Sequence, residues 1–412
     1  MSEVVTQAPN VPQSSAGAMT PTRPPGVLKD VLCLEDFEAP AKKLLPRPIY
    51  GFISGGVETN AAREGNRSAF SEYHFLPRVL VNTKARHQKT MLFGRTYDLP
   101  FGFPPMGGTS LAAYMGDIAL AKVAGELNTV MIQSGASLMP MEKLKASGPT
   151  AWFQAYLPGD PAIITPLVER AARAGFETLV LTVDVQVSGN RENNVRSGYS
   201  SPMKPNLRLA WDLALRPRWT LGTFARTLLT HGFPHLENLG YPPVPIIANM
   251  ERPGRTRDGL CWEHVELLRK LWKGNLVLKG VLSKHDVRIA RESGVDGIMV
   301  SNHGGRQLDY TVAPFRVLES VASEAGRMAV MMDSGIRRGS DILKAIAMGA
   351  HFVFVGRPFL FAATIAGEAG VHHGAKLLRD EISRNMAMLG ISTLDEMKRE
   401  FLVPATGGAV DF

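Results

Sequence analysis

A (β/α)8 TIM barrel with an insertion after its fourth strand is the fold this sequence predicts. Eight short runs rich in Val, Ile, Met and Phe recur from about Leu99 onward. Stretches at helical period separate them, and polar residues gather where the runs end. Continuous apolar runs are what a parallel sheet buried on both faces requires, and eight is the number that closes such a barrel.

Taken in order, the first 26 residues hold five prolines and no sustained apolar stretch, so residues 1–30 are expected to be a disordered arm rather than an export signal. The eight runs are LPFGFPPM (99–106), TVMIQS (129–134), TAWFQAY (150–156), TLVLTVD (178–184), NLVLKG (275–280), GIMVSN (297–302), AVMMDS (329–334) and FVFVGR (352–357). Between them GDIALAKVAGEL, PAIITPLVERAARAG, SKHDVRIARESG and GSDILKAIAMGA carry apolar positions three and four apart with Gly near their ends, as outer helices should. Residues 31–412 thus read as one barrel domain.

One spacing breaks the rhythm. Gln154 to Asp184 is 30 residues, Lys279 to His303 is 24 and His303 to Asp333 is 30, but Asp184 to Lys279 is 95. An insertion of about 65 residues, near 197–262, therefore follows the fourth strand. Its portion 204–233 has five Lys/Arg against one Asp, interleaved with Trp211, Trp219, Phe224 and several leucines. That mixture suits a membrane surface, although a subdomain packed on the barrel has the same composition.

Composition removes several classes. Apolar residues at 45% and charged residues at 20% are ordinary globular usage. No window reaches the roughly 18 uninterrupted apolar residues of a membrane span. Cys33 and Cys261, the two cysteines, suggest neither a disulfide framework nor a metal module, and a reducing cytoplasmic setting fits them. A net charge of +8 suits an anionic ligand, an acidic membrane or nucleic acid, but no nucleic-acid motif accompanies it.

The chemistry is expected where the strands end. Gln154 and Tyr156 close the third run, Thr182 and Asp184 the fourth, Lys279 the fifth, and the sixth opens into SNHGGRQLD, residues 301–309. The seventh ends in Asp333-Ser334-Gly335-Ile336-Arg337-Arg338-Gly339 and the eighth in Gly356-Arg357. Glycine beside arginine at the last two strands suits a phosphate, because bare backbone N–H groups approach its oxygens while guanidinium groups neutralise charge. His303 and Arg306 suit a general base and a carboxylate clamp. Taken singly, each residue has an ordinary explanation: Arg306 paired with Asp309, Lys279 ion-paired, Asp184 capping a helix, Tyr156 a buried phenol. Six strands delivering compatible groups to one barrel face is harder to explain structurally.

These motifs resemble the FMN-dependent L-2-hydroxy acid oxidase and dehydrogenase family. SNHGGRQLD carries most of the resemblance. Phe153-Gln154-Ala155-Tyr156, Leu181-Thr182-Val183-Asp184, Leu278-Lys279-Gly280, the 333–341 segment and Val355-Gly356-Arg357-Pro358 support it in matching order, from roughly Leu34 to the end. The resemblance implies FMN as cofactor. Pro105, Met106, Gly107, Ser134, Gln154 and Thr182 would hold its ring, Gly335, Arg337, Gly356 and Arg357 its phosphate, with Lys279, Ser301 and Asp333 also at the cofactor. Of the catalytic set, His303 would be the base, Asp184 its ionic partner and Tyr156 a donor to the substrate oxygen. Arg306 and Arg191 would bind the substrate carboxylate, and Lys279 would stabilise charge on the reduced flavin. It also implies a homotetramer.

Three positions depart from the family pattern. Phe52, in Tyr50-Gly51-Phe52, stands at a substrate-binding position where a second tyrosine is usual. Met106 replaces a usual Thr, and Ala136 replaces the Trp of glycolate oxidase. Gly107, rather than Ala, is the residue of the dehydrogenases. With the 204–233 insertion, whose LRPRW segment looks most like the membrane-associated mandelate and lactate dehydrogenases, these features lead us to expect oxidation of an L-2-hydroxy acid with electrons passed to a quinone at the cytoplasmic face of the inner membrane. The alternatives are a soluble oxidase that makes hydrogen peroxide, and an isomerase or aldolase using Lys279 as an amine nucleophile. A non-catalytic binding protein exploiting the positive charge is a further one.

Overall fold

Side chains alternate across a strand, so in a closed barrel every second residue faces the axis. The computed structural model describes residues 25–200, 204, 206–239, 243–247 and 257–406. Its main sheet has eight parallel strands: β1 (Phe101–Gly102), β2 (Ile132–Ser134), β3 (Trp152–Ala155), β4 (Thr178–Thr182), β5 (Asn275–Val281), β6 (Gly297–Val300), β7 (Ala329–Met332) and β8 (Phe352–Phe354). Seven lie inside one of the eight apolar runs, and β5 passes the end of its run by one residue, Val281. They pair consecutively from β2 to β8 and then to β1. A parallel bridge between Phe103 and Met131 joins β1 back to β2, with Phe103 N–H donating to the Val130 carbonyl at 2.8 Å and Ile132 N–H to the Phe103 carbonyl at 2.9 Å.

The inward set explains why the site lies where it does. Ile132, Trp152, Val180, Val277, Met299, Met331 and Phe352 form one buried cluster inside the barrel, together with Leu92 and Tyr97 of a hairpin outside the strand ring. Two residues further along the same strands come Ser134, Gln154, Thr182, Lys279, Ser301 and Asp333. The same parity that fills the barrel with apolar groups therefore aims this polar set into its C-terminal mouth.

Helices α1 (Gly116–Glu126), α2 (Met141–Ser147), α3 (Pro161–Arg173), α4 (Trp262–Leu271), α5 (Lys284–Glu292), α6 (Pro314–Glu324), α7 (Gly339–Ala347) and α8 (Arg357–Leu389) follow the strands in turn. Their starts are written locally. Asp160 caps α3 through Ala162 N–H at 2.9 Å with Pro161 at the first helical position, and Ser283 caps α5. The opposite strand parity, Leu179, Leu181, Leu276, Leu278, Ile298 and Val300, belongs to the outer core with α3 to α6 residues such as Ile164, Leu268, Val287 and Leu318.

The expected arm is ordered at its end. Gly26–Leu28 form a 3-10 turn with Leu28 and Val31 buried, so within the described residues order begins before residue 31; residues 1–24 lie outside them.

The insertion between β4 and α4 has two faces. Short helices Leu207–Ala214 and Arg226–His231 flank a stretch of π-helix, Thr220–Ala225. Asp212 is buried and accepts from Arg47 N–H at 2.5 Å, which caps the helix Arg47–Ser54. Trp219 is 4% exposed, donates its indole N–H to the Leu111 carbonyl at 2.9 Å and stacks on Phe224. The membrane reading of the insertion has Trp219 and Phe224 face outward with Trp211; these two instead fasten the insertion to the barrel, because a buried indole finds both apolar contact and an acceptor there. Leu207, Trp211, Leu215, Leu221 and Leu229 do face outward.

Candidate active site

The SNHGGRQLD loop is the hub of the mouth. His303 takes a left-handed backbone, φ 57°, and so do Gly304 and Gly305. A side chain on Gly305 would lie 2.4 Å from the Arg63 backbone nitrogen, so glycine is required there. Asn302 and Asn66 exchange two 2.7 Å hydrogen bonds, and Asp309 accepts from the N–H groups of Thr59 and Ala62 at 2.8 Å. These contacts tie the N-terminal segment to the mouth. Asp309 is thereby committed elsewhere and does not pair with Arg306.

His303 Nδ1 lies 2.9 Å from Asp184 Oδ1. Burial pushes the imidazole below its ordinary pKa and attraction to Asp184 recovers only part of that, so His303 is neutral at pH 7 with Nε2 available as a base. Burial alone would raise Asp184, but His303 and Lys279 hold it below the usual carboxylate range. Lys279 is buried, 2.8 Å from Ser301 Oγ and 3.2 Å from Asp333 Oδ2. Burial opposes its charge, yet Asp333, Asp184 and Tyr156 together outweigh that and raise the pKa above the ordinary lysine value. A charged ammonium has no lone pair to attack with, which argues against the amine-nucleophile reading. Ser301 links the two halves, since its Oγ also accepts from His303 N–H at 3.0 Å.

Arginines supply the rest of the charge. Arg306 Nη1 donates to the Phe52 carbonyl at 2.7 Å and the Gly55 carbonyl at 2.9 Å; Arg191 Nε donates to the Arg306 carbonyl at 3.0 Å. Arg357 donates to the carbonyls of Ile53, Gly55 and Gly304. Burial pushes the Arg306 and Arg357 guanidiniums down, and neighbouring arginines push the same way. Among the described residues neither has a carboxylate at ion-pair distance, and the same holds for Arg191 and Arg337. Guanidinium remains charged even so, which leaves half-buried positive charge that an anion would satisfy.

The flavin-ring candidates are assembled as well. Ser134 Oγ and Gly135 N–H both donate to Gln154 Oε1 at 3.2 Å, which fixes the amide. Gln154 Nε2, Thr182 Oγ1 and Asp184 Oδ2 are buried without hydrogen-bond partners among the described residues. Such orphans at one mouth are what a polar ring system would satisfy. Gly107 lies against Ala136, where a side chain would meet the Ala136 methyl at 3.2 Å, and Pro105 and Met106 precede it on the β1 loop. At the β7 end Ser334, φ 78°, donates to Asp333 and accepts from Gly304 N–H, and a side chain on Gly335 would lie 2.1 Å from the Asn66 carbonyl. Gly335, Arg337, Gly356 and Arg357 follow β7 and β8, as a phosphate site needs.

Residues 41–404 match the family described as FMN-dependent dehydrogenase. The chain belongs to that family. It is accordingly an FMN-dependent oxidoreductase, and the orphaned amide and hydroxyl, with guanidiniums that lack a carboxylate among the described residues, fit that cofactor. Among relatives of the FMN-dependent dehydrogenase chain, (S)-mandelate dehydrogenase of Pseudomonas putida is 34% identical over 90% of this chain and 93% of its own length. Glycolate oxidase 3 of Oryza sativa subsp. indica is 35% identical over 90% and 95%. A solved structure of the monotopic membrane protein (S)-mandelate dehydrogenase superposes with a TM-score of 0.83 at 32% identity, over 91% of this chain and all of that one.

Sequence reasoning missed two residues of this family member's mouth. Arg257 lies over the Tyr156 ring, 4.6 Å from its centroid, and Tyr199 stacks on Phe52 at 4.5 Å. Both come from the insertion, where no strand periodicity signals direction.

Proposed function

We propose that this enzyme oxidises an L-2-hydroxy acid to the 2-oxo acid, with His303 as the base, and passes the electrons to a membrane quinone. The observation that carries the first part is His303 Nδ1 lying 2.9 Å from Asp184 Oδ1 at a mouth that also holds Arg306 and Arg191, which have no carboxylate at ion-pair distance among the described residues. The paired guanidiniums suit the substrate carboxylate. The Tyr156 hydroxyl suits the substrate oxygen. His303 Nε2 takes a proton from the substrate while Asp184 compensates the imidazolium that forms. Oxidation removes two electrons and two protons; one proton goes to His303 Nε2, and FMN, when bound, would supply the acceptor for the two electrons and the remaining proton. Lys279, fixed and charged, favours negative charge gathering beside it without reorganisation. In the cofactor site Gln154, Thr182 and the Pro105–Gly107 backbone would hold the ring, and Gly335, Arg337, Gly356 and Arg357 the phosphate.

The acceptor reading rests on the insertion. Leu207, Trp211 and Leu229 are 90%, 69% and 88% exposed, beside exposed Arg208, Arg218 and Arg226. That arrangement binds an anionic bilayer without crossing it. No helix among the described residues is long and apolar enough to cross a membrane. A cavity of about 180 Å³ lies between insertion and barrel, lined in part by Leu111, Trp219, Phe224, Lys143 and His231, and suits a ring with polar edges. Anaerobic bleaching of the flavin by a panel of hydroxy acids tests the first part. Reoxidation by a quinone analogue against oxygen tests the second, and faster oxygen reaction with no liposome binding at low salt would return the enzyme to the soluble oxidases.

A further inference from the structure

We infer that Tyr199 donates a hydrogen bond to the substrate carboxylate, supplying across a stacked pair the hydroxyl that Phe52 lacks. The assignment rests on the 2-hydroxy acid reading above. Phe52 and Tyr199 stack with centroids 4.5 Å apart and planes 21° from parallel. The Arg306 guanidinium lies 5.0 Å from the Phe52 centroid and is anchored to the Phe52 carbonyl, so the pair borders the group expected to bind the carboxylate.

The stack is built rather than incidental. A side chain on Gly51 would lie 2.4 Å from Ser197, so the helices Arg47–Ser54 and Glu192–Ser197 touch at a glycine. Gly198, φ 86°, ends the second helix, and Tyr199 N–H donates to the Asn194 carbonyl at 2.8 Å. Glu58 N–H to the Asn190 carbonyl at 3.0 Å and Asn193 Nδ2 to Asn60 Oδ1 at 2.9 Å hold the same two segments together.

Chemistry agrees with placement. The Tyr199 hydroxyl enters no hydrogen bond among the described residues. Burial raises its pKa while Arg306 and Arg191 act in the opposite sense, so both guanidiniums reach it electrostatically and the phenol remains a donor at neutral pH. Arg306 and Arg191 repel one another, and an anion between them relieves that repulsion. A phenolic O–H at their edge adds direction to a site otherwise held by charge.

The test uses the FMN-loaded enzyme and its Tyr199→Phe and Phe52→Tyr/Tyr199→Phe variants. Substrates run from glycolate to mandelate, with mandelamide as an analogue lacking the carboxylate, and oxalate binding is followed by flavin absorbance. Loss of one charge-assisted hydrogen bond should raise KM for the acids and Kd for oxalate about 10-fold or more, with kcat changed less than about 3-fold. Mandelamide should be indifferent, and the double variant should recover most of the loss. Unchanged KM and Kd in Tyr199→Phe, or equal losses for acid and amide, would overturn the assignment. If no hydroxy acid bleaches the wild-type flavin while oxalate still discriminates the variants, the oxidation reading falls and the carboxylate contact stands.

Discussion

Two arginine-rich regions of this molecule use the same side chain under opposite conditions. At the barrel mouth Arg191, Arg306, Arg337 and Arg357 are half-buried beside fixed carbonyls and glycine turns. On the insertion Arg208, Arg218 and Arg226 lie exposed among Trp211 and the leucines. Low local dielectric makes each mouth charge strong and its geometry specific. Water and salt make each insertion charge weak, so only their number counts. On the function proposed above, the mouth recognises particular small anions, a carboxylate and a phosphate, and the insertion meets many interchangeable ones.

That contrast can be broken from either side. The largest effect is expected at the mouth: His303→Ala should slow anaerobic flavin reduction by about 10²-fold or more while FMN absorbance is retained. Near-normal reduction in that variant would remove His303 from the chemistry. Next comes the seam between the regions. Trp219→Ala should destabilise the fold by about 3 kcal/mol in urea titration, because a buried, hydrogen-bonded indole leaves a cavity. Trp211→Ala should leave the urea midpoint unchanged.

The pH dependence sharpens the mouth further. As the proposed base His303 must be neutral to act, so activity is expected above its pKa and should be lost as pH falls through it. Burial holds that pKa down, so the acid limb of kcat/KM should lie below the ordinary imidazole value of about 6.5. Asp184→Asn removes the attraction that favours imidazolium; its acid limb should move to still lower pH while kcat falls. A limb that moves upward would contradict the pairing.

The smallest single effects belong to the insertion. Replacing Arg208 or Arg218 with Gln should weaken sedimentation with anionic liposomes by about 1 kcal/mol each at low salt, and by nothing measurable at high salt. Flavin reduction by substrate should not change, since neither residue touches the mouth.

Strand runs, helix starts and the 301–309 loop are local signals, and the sequence alone determined them. Period-2 alternation carries Val277 to Lys279 and Met331 to Asp333 on the same face, so a reader who places the strands also aims the polar ends. Glycines 304, 305 and 335 likewise announce a backbone that other residues adopt poorly. Tertiary structure decided what sequence spacing does not encode. Trp211 and Trp219 stand eight residues apart in similar surroundings, yet one faces solvent and the other seals the insertion, because only Trp219 meets the Leu111 carbonyl across the seam. Tyr199 lies 147 residues from Phe52, and the close approach of Gly51 to Ser197 is what stacks them. Local periodicity sets which way a side chain leaves its own element; which distant element it meets depends on how the barrel and its insertion pack.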